Sequence, residues 1–396
     1  MRHVSSAQKS IRLNISQLPA GDEASDRAAP FFGLAPFVWP LAVAIMFTRA
    51  AASAWGLALS NNSRNGLQGR EPEWATPNAV ALELPTMRLR DFSSKSNKDR
   101  ATLVCAPFAL HDANIADLAP GHSLVETLQK AGRRRVFVTD WRSATIEMRD
   151  FSIDTYLADL NVAVDELKPP IDLIGLCQGG WLALVYAARF PEKVRRLVLA
   201  GAPIDIFGGS SPLSRLAACT PSAVFEGLVR SGGGRALGQH MLEMWGPALA
   251  TNDQADQVLQ MAADIDPIDS RALEARFHHW YAQTVDLPGT FYLEVVHRLF
   301  KENQIANALF VALGSRIDLA EVRVPMFLLA ARDDELVSVD QLFAIVDLVG
   351  TSDTCIEKAI EPCGHLSLFL GAKTLEGSWQ RIASWLGRDL ALAKAS

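Results

Sequence analysis

From residue 79 onward, short apolar runs alternate with segments whose apolar residues recur at helical spacing. The first two runs, 80–83 and 87–92, predict a hairpin. Six later runs predict further strands, at 101–107, 135–140, 171–176, 196–200, 324–330 and 354–360. Helical spacing predicts helices at 122–132, 151–167 and 375–386. Strands that alternate with helices indicate an α/β fold, with a mostly parallel sheet covered by helices on both faces.

The alternation stops between residues 206 and 318, where helical patterns rich in aromatic residues predominate. We interpret this stretch as a helical lid inserted into the core. The predicted division is then a leader with an apolar segment and a linker at 1–78, a core made of 79–205 and 319–396, and a lid at 206–318.

The apolar segment, residues 31–59, follows a polar leader that has no periodicity. Pro36 and Pro40 interrupt the segment and Arg49 divides it, which disfavours a membrane span. The long, acid-containing leader disfavours a secretory signal peptide. Two interpretations remain. The segment is either a helix packed on the domain or an aromatic surface for an apolar partner, such as a lipid or a polymer inclusion.

Composition narrows the function classes. The chain is 49% hydrophobic and 21% charged, as expected of a globular enzyme with a large core. Its net charge of −6 argues against a nucleic-acid partner. Its five cysteines have neither the spacing of a disulfide framework nor that of a metal site. We therefore expect a cytoplasmic protein with no metal and no resident cofactor.

The strand predicted at 171–176 runs into a Gly-x-Cys-x-Gly pattern, with Cys177 between Gly175 and Gly179. A helical pattern follows at once. A strand, a tight glycine-flanked turn and a helix form a nucleophile elbow, which lifts the middle side chain out of the sheet. Most such elbows carry serine. Cysteine at this position indicates acyl transfer through a thioester.

Two further residues follow in the order used by alpha/beta hydrolases, nucleophile, acid and histidine. Asp333 and Asp334 come after the strand at 324–330, and His365 comes after the strand at 354–360. Taken singly, each has an ordinary explanation, as a structural cysteine, a capped turn or a loop histidine. Together they predict a Cys–His–Asp triad, and we favour Asp334 over Asp333 as its acid.

Four other residues are candidates for contact with a substrate. The backbone N–H of Gln178, at a helix N-terminus, faces the position where an oxyanion would develop. His111 lies in the loop after the third predicted strand, where a second oxyanion donor normally sits, and we expect its backbone to matter more than its ring. In the lid, Trp280 and His279 are candidates, although His278 and His279 are also typical of a surface pair.

Several segments resemble the polyhydroxyalkanoate synthases and their relatives, the intracellular polyhydroxybutyrate depolymerases. The similar segments are 118–132 (LAPGHSLVETLQKAG), 136–142 (VFVTDWR), the cysteine box 175–180, 280–293, 317–319 and 364–366. The resemblance implies an alpha/beta-hydrolase fold and catalytic roles for Cys177, Asp334 and His365. The depolymerase relatives more often have Cys-Gln-Pro in the box, so Gly179 favours the synthase side.

The resemblance also implies an activity. In a synthase, His365 would deprotonate Cys177 and Asp334 would orient the imidazole, while 3-hydroxyacyl groups pass from coenzyme A thioesters into a polyester. One alternative is a hydrolase, a depolymerase or thioesterase, in which water accepts the acyl group. Another is a granule-surface protein with a vestigial triad. The implied partners are the 3-hydroxyacyl-CoA substrate and either a polyester granule or a synthase subunit; a homodimer is compatible with each alternative.

Overall fold

The computed structural model describes residues 73–93, 99–245, 255–263 and 265–388, and an eight-stranded sheet runs through its centre. In chain order the strands are β1 (Ala79–Glu83), β2 (Met87–Asp91), β3 (Thr102–Cys105), β4 (Val136–Trp141), β5 (Ile171–Leu176), β6 (Val194–Ala200), β7 (Met326–Ala331) and β8 (Ile356–Glu361). Their order across the sheet is β1-β2-β4-β3-β5-β6-β7-β8. β2 runs antiparallel to both of its neighbours, β1 and β4, and all other neighbouring strands of this sheet run parallel. The predicted mostly parallel α/β fold is confirmed.

Helices connect and cover these strands. In chain order they are α1 (Leu124–Lys130), α2 (Ile153–Glu166), α3 (Gln178–Arg189), α4 (Pro212–Cys219), α5 (Ser222–Ser231), α6 (Gly238–Trp245), α7 (Ala255–Leu259), α8 (Pro267–Ala282), α9 (Gly289–Glu294), α10 (Val339–Phe343), α11 (Ser367–Leu370), α12 (Ala372–Thr374) and α13 (Gln380–Gly387). Helix α1 packs with α13, and α2 packs with α3. Every residue of β5 and β7 is buried, so helices cover both faces of the central strands.

The start of α1 differs from the prediction of a helix at 122–132. Residues His122–Ser123 pair with Asp117–Ala119 in a short antiparallel ladder, and this pairing delays the helix to Leu124. Ser123 then caps the helix, because its hydroxyl oxygen accepts a hydrogen bond from the Glu126 N–H at 2.8 Å. The hydrophobic period alone does not mark this boundary.

Helices α4 to α9 all lie between β6 and β7, in the stretch expected to form a lid. Helix α9 continues into a wider π-helical turn, Val295–Lys301. Asp286 fastens the lid to the core. Its carboxylate accepts hydrogen bonds from Arg235 Nη1 at 3.2 Å and from the Gly238 N–H at 3.0 Å, and its carbonyl accepts one from the Ala144 N–H at 2.9 Å. The lid is therefore anchored on the side where β4 ends.

The leader and the apolar segment 31–59 lie outside the described residues, as does most of the predicted linker. Their interpretation therefore stays a prediction. Among the helices of residues 73–93, 99–245, 255–263 and 265–388, none combines the length and the apolar character needed to cross a membrane.

Candidate active site

Cys177 occupies the sharp turn between β5 and α3. Its backbone dihedrals are φ 48° and ψ −119°, a combination that residues other than glycine rarely adopt. Two hydrogen bonds hold the turn. The Cys177 N–H donates to the Ala200 carbonyl on β6 at 2.9 Å, and the Cys177 carbonyl accepts from the Gly180 N–H at 2.8 Å. The thiol is thereby raised above the carboxyl ends of the strands, half-buried, in the geometry of a nucleophile elbow.

The glycines of the pattern are needed because α3 packs very closely against its neighbours. A Cβ atom on Gly179 would lie 2.2 Å from the carbonyl oxygen of Cys105, at the end of β3. A Cβ atom on Gly175 would lie 2.5 Å from the Cα of Gly180. Both obstacles are backbone atoms, which cannot rotate away. Glycine at these positions therefore allows the helix to begin directly beneath the nucleophile.

Asp334 and His365 come together from the loops that follow β7 and β8. Asp334 Oδ2 lies 2.7 Å from His365 Nδ1, and the two side chains are 1% and 2% exposed. Asp334 Oδ1 accepts hydrogen bonds from the backbone N–H groups of Leu336 and Val337, each at 2.8 Å. The carboxylate is thus held in a single orientation. It accepts the Nδ1 proton of His365 and leaves Nε2 for the thiol.

The electrostatics of His365 suit a base beside a thiolate. Burial alone would lower the pKa of His365. The charges of Asp334 and of a Cys177 thiolate, with hydrogen bonds to both side chains, outweigh burial and raise that pKa well above its ordinary value. A raised pKa favours the imidazolium, and an imidazolium stabilises the thiolate form of a neighbouring cysteine. The three side chains are therefore arranged for an attack by the Cys177 sulfur with His365 as its base.

The neighbouring Asp333 has a different environment. Its side chain is exposed, and its backbone N–H donates to the Cys363 carbonyl at 3.1 Å, which joins the two loops. The structure thus brings Asp334, and not Asp333, to the histidine. This is the arrangement that the sequence favoured.

The oxyanion position lies between α3 and the loop after β3. Gln178 is the first residue of α3, so its N–H has no acceptor within the helix. Its side-chain oxygen accepts a hydrogen bond from Trp181 Nε1 at 2.6 Å, which holds the side-chain amide of Gln178 against α3. In the facing loop, Ala109 and Leu110 adjoin Cys177. His111 comes one residue later, and its Nδ1–H donates to the Gln283 carbonyl at 3.1 Å. His111 lines the same cavity as Cys177, Ala109 and Leu110, and the role expected of its backbone as a second oxyanion donor stays a prediction.

Two cavities meet at Cys177. The first, which we call the histidine cavity, contains about 590 Å³ of empty space, counting its part open to solvent. It is lined by His365 and Cys177 and by side chains that include His111, Trp280, Glu335 and Phe369. The second, which we call the lid cavity, contains about 810 Å³ on the same count. It is lined by Cys177 and Gln178 and by apolar side chains that include Phe108, Met241, Phe291 and Phe300. Ala109, Leu110 and Leu336 border both cavities.

The two lid residues proposed from the sequence have different positions on α8. Trp280 is buried and lines the histidine cavity, where its ring lies 4.8 Å from the ring of His111. His279 is exposed, and its Nε2 pairs with Gln283 Nε2 at 3.0 Å. His279 does not line either cavity, so its proposed contact with substrate is not supported. Consecutive helical residues point about 100° apart, so only one of this pair can face inward.

The histidine cavity also contains two carboxyl groups that were not singled out from the sequence. Burial raises the pKa of Glu335 above its ordinary value. Burial, with the nearby charge of Asp140, raises the pKa of Asp112 to about 6. In the same cavity, burial lowers the pKa of the His111 ring to about 4, against the opposing hydrogen bond to Gln283. Glu335 directly follows Asp334, and Asp112 directly follows His111. This position next to a candidate site residue was the signal in the sequence that could have identified them.

Comparison with known proteins places this site in a family. Residues 108–372, more than half of the chain, match the family model described as the alpha/beta hydrolase fold. Solved structures agree on the fold. A monoacylglycerol lipase of Paleococcus ferrophilus aligns with a TM-score of 0.50 at 15% identity, over 76% of this chain and 98% of its own. A Bacillus megaterium epoxide hydrolase aligns with a TM-score of 0.50 at 14% identity, over 78% and 99%.

Curated relatives narrow the comparison. The poly(3-hydroxyalkanoate) polymerase subunit PhaC of Haloferax mediterranei is 26% identical over 327 residues, which cover 78% of this chain and 63% of that protein. The subunit of the same name from Synechocystis is 29% identical, over 69% of this chain and 74% of that protein. The one from Allochromatium vinosum is 24% identical, over 69% and 76%. This chain thus spans under two thirds of the first relative's length and about three quarters of the other two.

These matches confirm the resemblance found in the sequence. The chain belongs to the alpha/beta-hydrolase fold family, and the curated proteins it resembles are poly(3-hydroxyalkanoate) polymerase subunits.

Proposed function

We propose that this chain is a cysteine acyltransferase that moves 3-hydroxyacyl groups from coenzyme A thioesters into a polyhydroxyalkanoate. The observation that carries the proposal is the placement of Cys177 on a nucleophile elbow beside the buried His365–Asp334 pair. The polymerase relatives supply the substrate class. The two cavities that border the thiol supply room for a bound acyl group and for a second group that attacks it.

The first half-reaction loads the enzyme. The Cys177 thiolate attacks the thioester carbonyl of the substrate, and the Gln178 N–H stabilises the oxyanion that forms. The carbon–sulfur bond to coenzyme A breaks as the new bond to Cys177 forms. The departing coenzyme A thiolate takes the proton of the His365 imidazolium, which leaves a neutral imidazole and an acyl group on Cys177.

The second half-reaction transfers the acyl group. His365 Nε2 takes the proton of a hydroxyl on another 3-hydroxyacyl group, and the hydroxyl oxygen attacks the carbonyl on Cys177. An ester bond forms, the bond to Cys177 breaks, and the thiolate–imidazolium pair is restored. Asp334 stabilises the imidazolium in this step and takes no proton itself. No resident cofactor is required, because coenzyme A enters and leaves with the substrate.

The test supplies 3-hydroxybutyryl-CoA to the purified full-length chain, measures coenzyme A release with a thiol reagent, and sizes the product. We expect release with a polymeric product, also after dialysis against a metal chelator. Cys177→Ala, shown to be folded by circular dichroism, is the control and should release none. Release with free 3-hydroxybutyrate as the product would refute the synthase and support a hydrolase. No release by the folded chain, either alone or with a synthase partner subunit added, would support the granule-surface alternative.

We include a partner in the proposal, because the relatives are named as subunits. The candidates are a second synthase subunit, a polyester granule or a second copy of this chain, all within the cytoplasm. Light scattering after gel filtration of the chain alone, with and without substrate, tests the homodimer. Activity of that same preparation tests the need for another subunit.

A further inference from the structure

The lid cavity has a feature that the proposed function does not use. It contacts the nucleophile and the oxyanion residue, Cys177 and Gln178, but His365 does not line it. His365 lines the histidine cavity instead. In the transfer step the attacking hydroxyl must reach His365, so the attacking group arrives through the histidine cavity. The lid cavity is then left for a part of the acyl group already bound to Cys177.

The lining of the lid cavity selects the chemistry of that part. Of the described residues that line it, none is Asp, Glu, Lys, Arg or His. Phe108, Phe291 and Phe300 are each less than a tenth exposed. A charged group, such as a phosphate of coenzyme A, would lose its hydration here without gaining a partner. An alkyl chain loses no hydrogen bonds on entry and gains apolar contacts.

The size of the lid cavity determines which length of alkyl chain fits it best. Its empty space of about 810 Å³, which counts the part open to solvent, is far more than the methyl substituent of a 3-hydroxybutyryl group could fill. The methyl substituent of a 3-hydroxybutyryl group would contact only the walls nearest to Cys177. The remaining walls would then lack contacts that a longer chain supplies. Part of the lining is held in place by ring contacts, because the Phe108 ring packs against Tyr156 at 4.8 Å and against Phe291 at 5.2 Å.

Resting on the proposed function, we infer that the lid cavity binds the alkyl substituent on C3 of the Cys177-bound 3-hydroxyacyl group and selects medium-length chains over a methyl group. Ala217 on α4 is the residue we expect to set the depth. It is buried, it lines the cavity, and its small side chain leaves space that a larger one would fill.

The experiment compares 3-hydroxybutyryl-CoA with 3-hydroxyoctanoyl-CoA on the full-length chain, with coenzyme A release as the readout. Each methylene that becomes buried is worth about a fourfold gain in kcat/KM, so four of them give a preference of up to about two-hundredfold for the octanoyl substrate. Ala217→Phe should lower kcat/KM for the octanoyl substrate by at least about tenfold, while kcat/KM for the butyryl substrate changes by less than about threefold.

The matched control is Ala158→Phe, the same change on the exposed face of α2, which should leave the ratio of the two substrates unaltered. A second variant, Phe300→Leu, enlarges the cavity and should extend the preference toward a 3-hydroxydodecanoyl substrate. If Ala217→Phe does not fold, the chain-length preference of Phe300→Leu tests the inference instead.

The outcomes separate the two proposals. If the unaltered chain releases coenzyme A from neither substrate, either alone or with a synthase partner subunit added, the proposed function fails and the inference falls with it. If it releases coenzyme A from both with equal kcat/KM, the proposed function stands and the inference is refuted. Equal losses for both substrates in folded Ala217→Phe would also refute it, because the cavity would then hold a part common to both acyl groups.

Discussion

Replacing Asp334 by asparagine tests the triad most directly, because the structure determines which way the new amide must point. Asp334 Oδ1 accepts two backbone N–H groups, those of Leu336 and Val337, each at 2.8 Å. Only the oxygen of asparagine can accept them. The amide nitrogen must therefore take the place of Oδ2, 2.7 Å from His365 Nδ1. Two donors cannot share that contact, so His365 must carry its proton on Nε2 instead.

The consequence for activity is large. A histidine protonated on Nε2 and neutral cannot take a proton there from Cys177 or from an attacking hydroxyl. In Ser-His-Asp triads the same substitution lowers turnover about 10⁴-fold, and we expect a loss of about 10³–10⁴-fold here. That loss corresponds to about 4–5.5 kcal/mol of transition-state stabilisation. The matched control is Asp333→Asn, which alters an exposed carboxylate next in the chain and should change turnover less than about threefold.

Two assays check this prediction. The first is the rate of coenzyme A release from 3-hydroxybutyryl-CoA. The second needs no substrate and measures alkylation of Cys177 by iodoacetamide at neutral pH, resolved by peptide mass spectrometry from the exposed Cys219 and Cys355. Alkylation of Cys177 should slow in Asp334→Asn and stay unchanged in Asp333→Asn. Turnover of Asp334→Asn within about tenfold of the unaltered chain, or the reverse ranking of the two variants, would refute the assignment of the triad.

Three further predictions follow from the same region. Cys177→Ala should abolish acyl transfer while circular dichroism shows that the fold is retained. Cys177→Ser should be poorly active, because an alcohol is far harder than a thiol for the same histidine to deprotonate. If the alanine variant keeps more than about a thousandth of the rate of the unaltered chain, nucleophilic catalysis by Cys177 is excluded. Gly179→Ala should destabilise the fold by about 1–3 kcal/mol in urea titrations, since the added Cβ meets the Cys105 carbonyl. The control is Gly377→Ala, which has nothing within 4 Å of its Cβ and should be neutral or slightly stabilising. Equal effects of the two substitutions would contradict the close packing of Gly179 against Cys105. Asp112→Asn should stabilise the protein by about 1–3 kcal/mol at pH 7. The reason is that the pKa of this carboxyl group rises from 3.8 to about 6 on folding, so the ionised group lowers stability above that pH range and has no effect below it. A gain in stability that persists at about pH 3.5 would contradict this cause.

The strands, and the grouping of the three candidate residues that follow them, were predictable because the evidence for them is local. The strand predicted at 171–176 is β5 itself, since an apolar run followed by the elbow glycines leaves one placement. Cys177, Asp334 and His365 each follow the end of a parallel strand. The carboxyl ends of parallel strands lie at one edge of the sheet, so the order of the strands along the chain was enough to bring these residues together.

The walls of the site were not predictable in the same way. The lid cavity takes Phe108, Met241 and Phe291 from three distant segments, and their meeting depends on how the lid packs. Charge burial is a second example. Asp172, inside the apolar run of β5, is fully buried between Arg133 at 2.5 Å and Arg195 at 2.7 Å. A period of apolar residues describes which face is buried, but it does not identify partners that lie far away in sequence.

The choice of cysteine over serine has an energetic meaning under the proposed function. Exchanging coenzyme A for Cys177 replaces one thioester by another, so the acyl group keeps the reactivity of the substrate while it waits on the enzyme. Passing it from Cys177 to a hydroxyl then converts a thioester into an ester, which is downhill. A serine at the elbow would release that free energy in the first step, so the transfer step itself would exchange one ester for another and would be easily reversed. A hydrolase has no such constraint, because water makes either release favourable. The thiol on the elbow of this chain therefore suits an enzyme that must carry its acyl group forward to an alcohol.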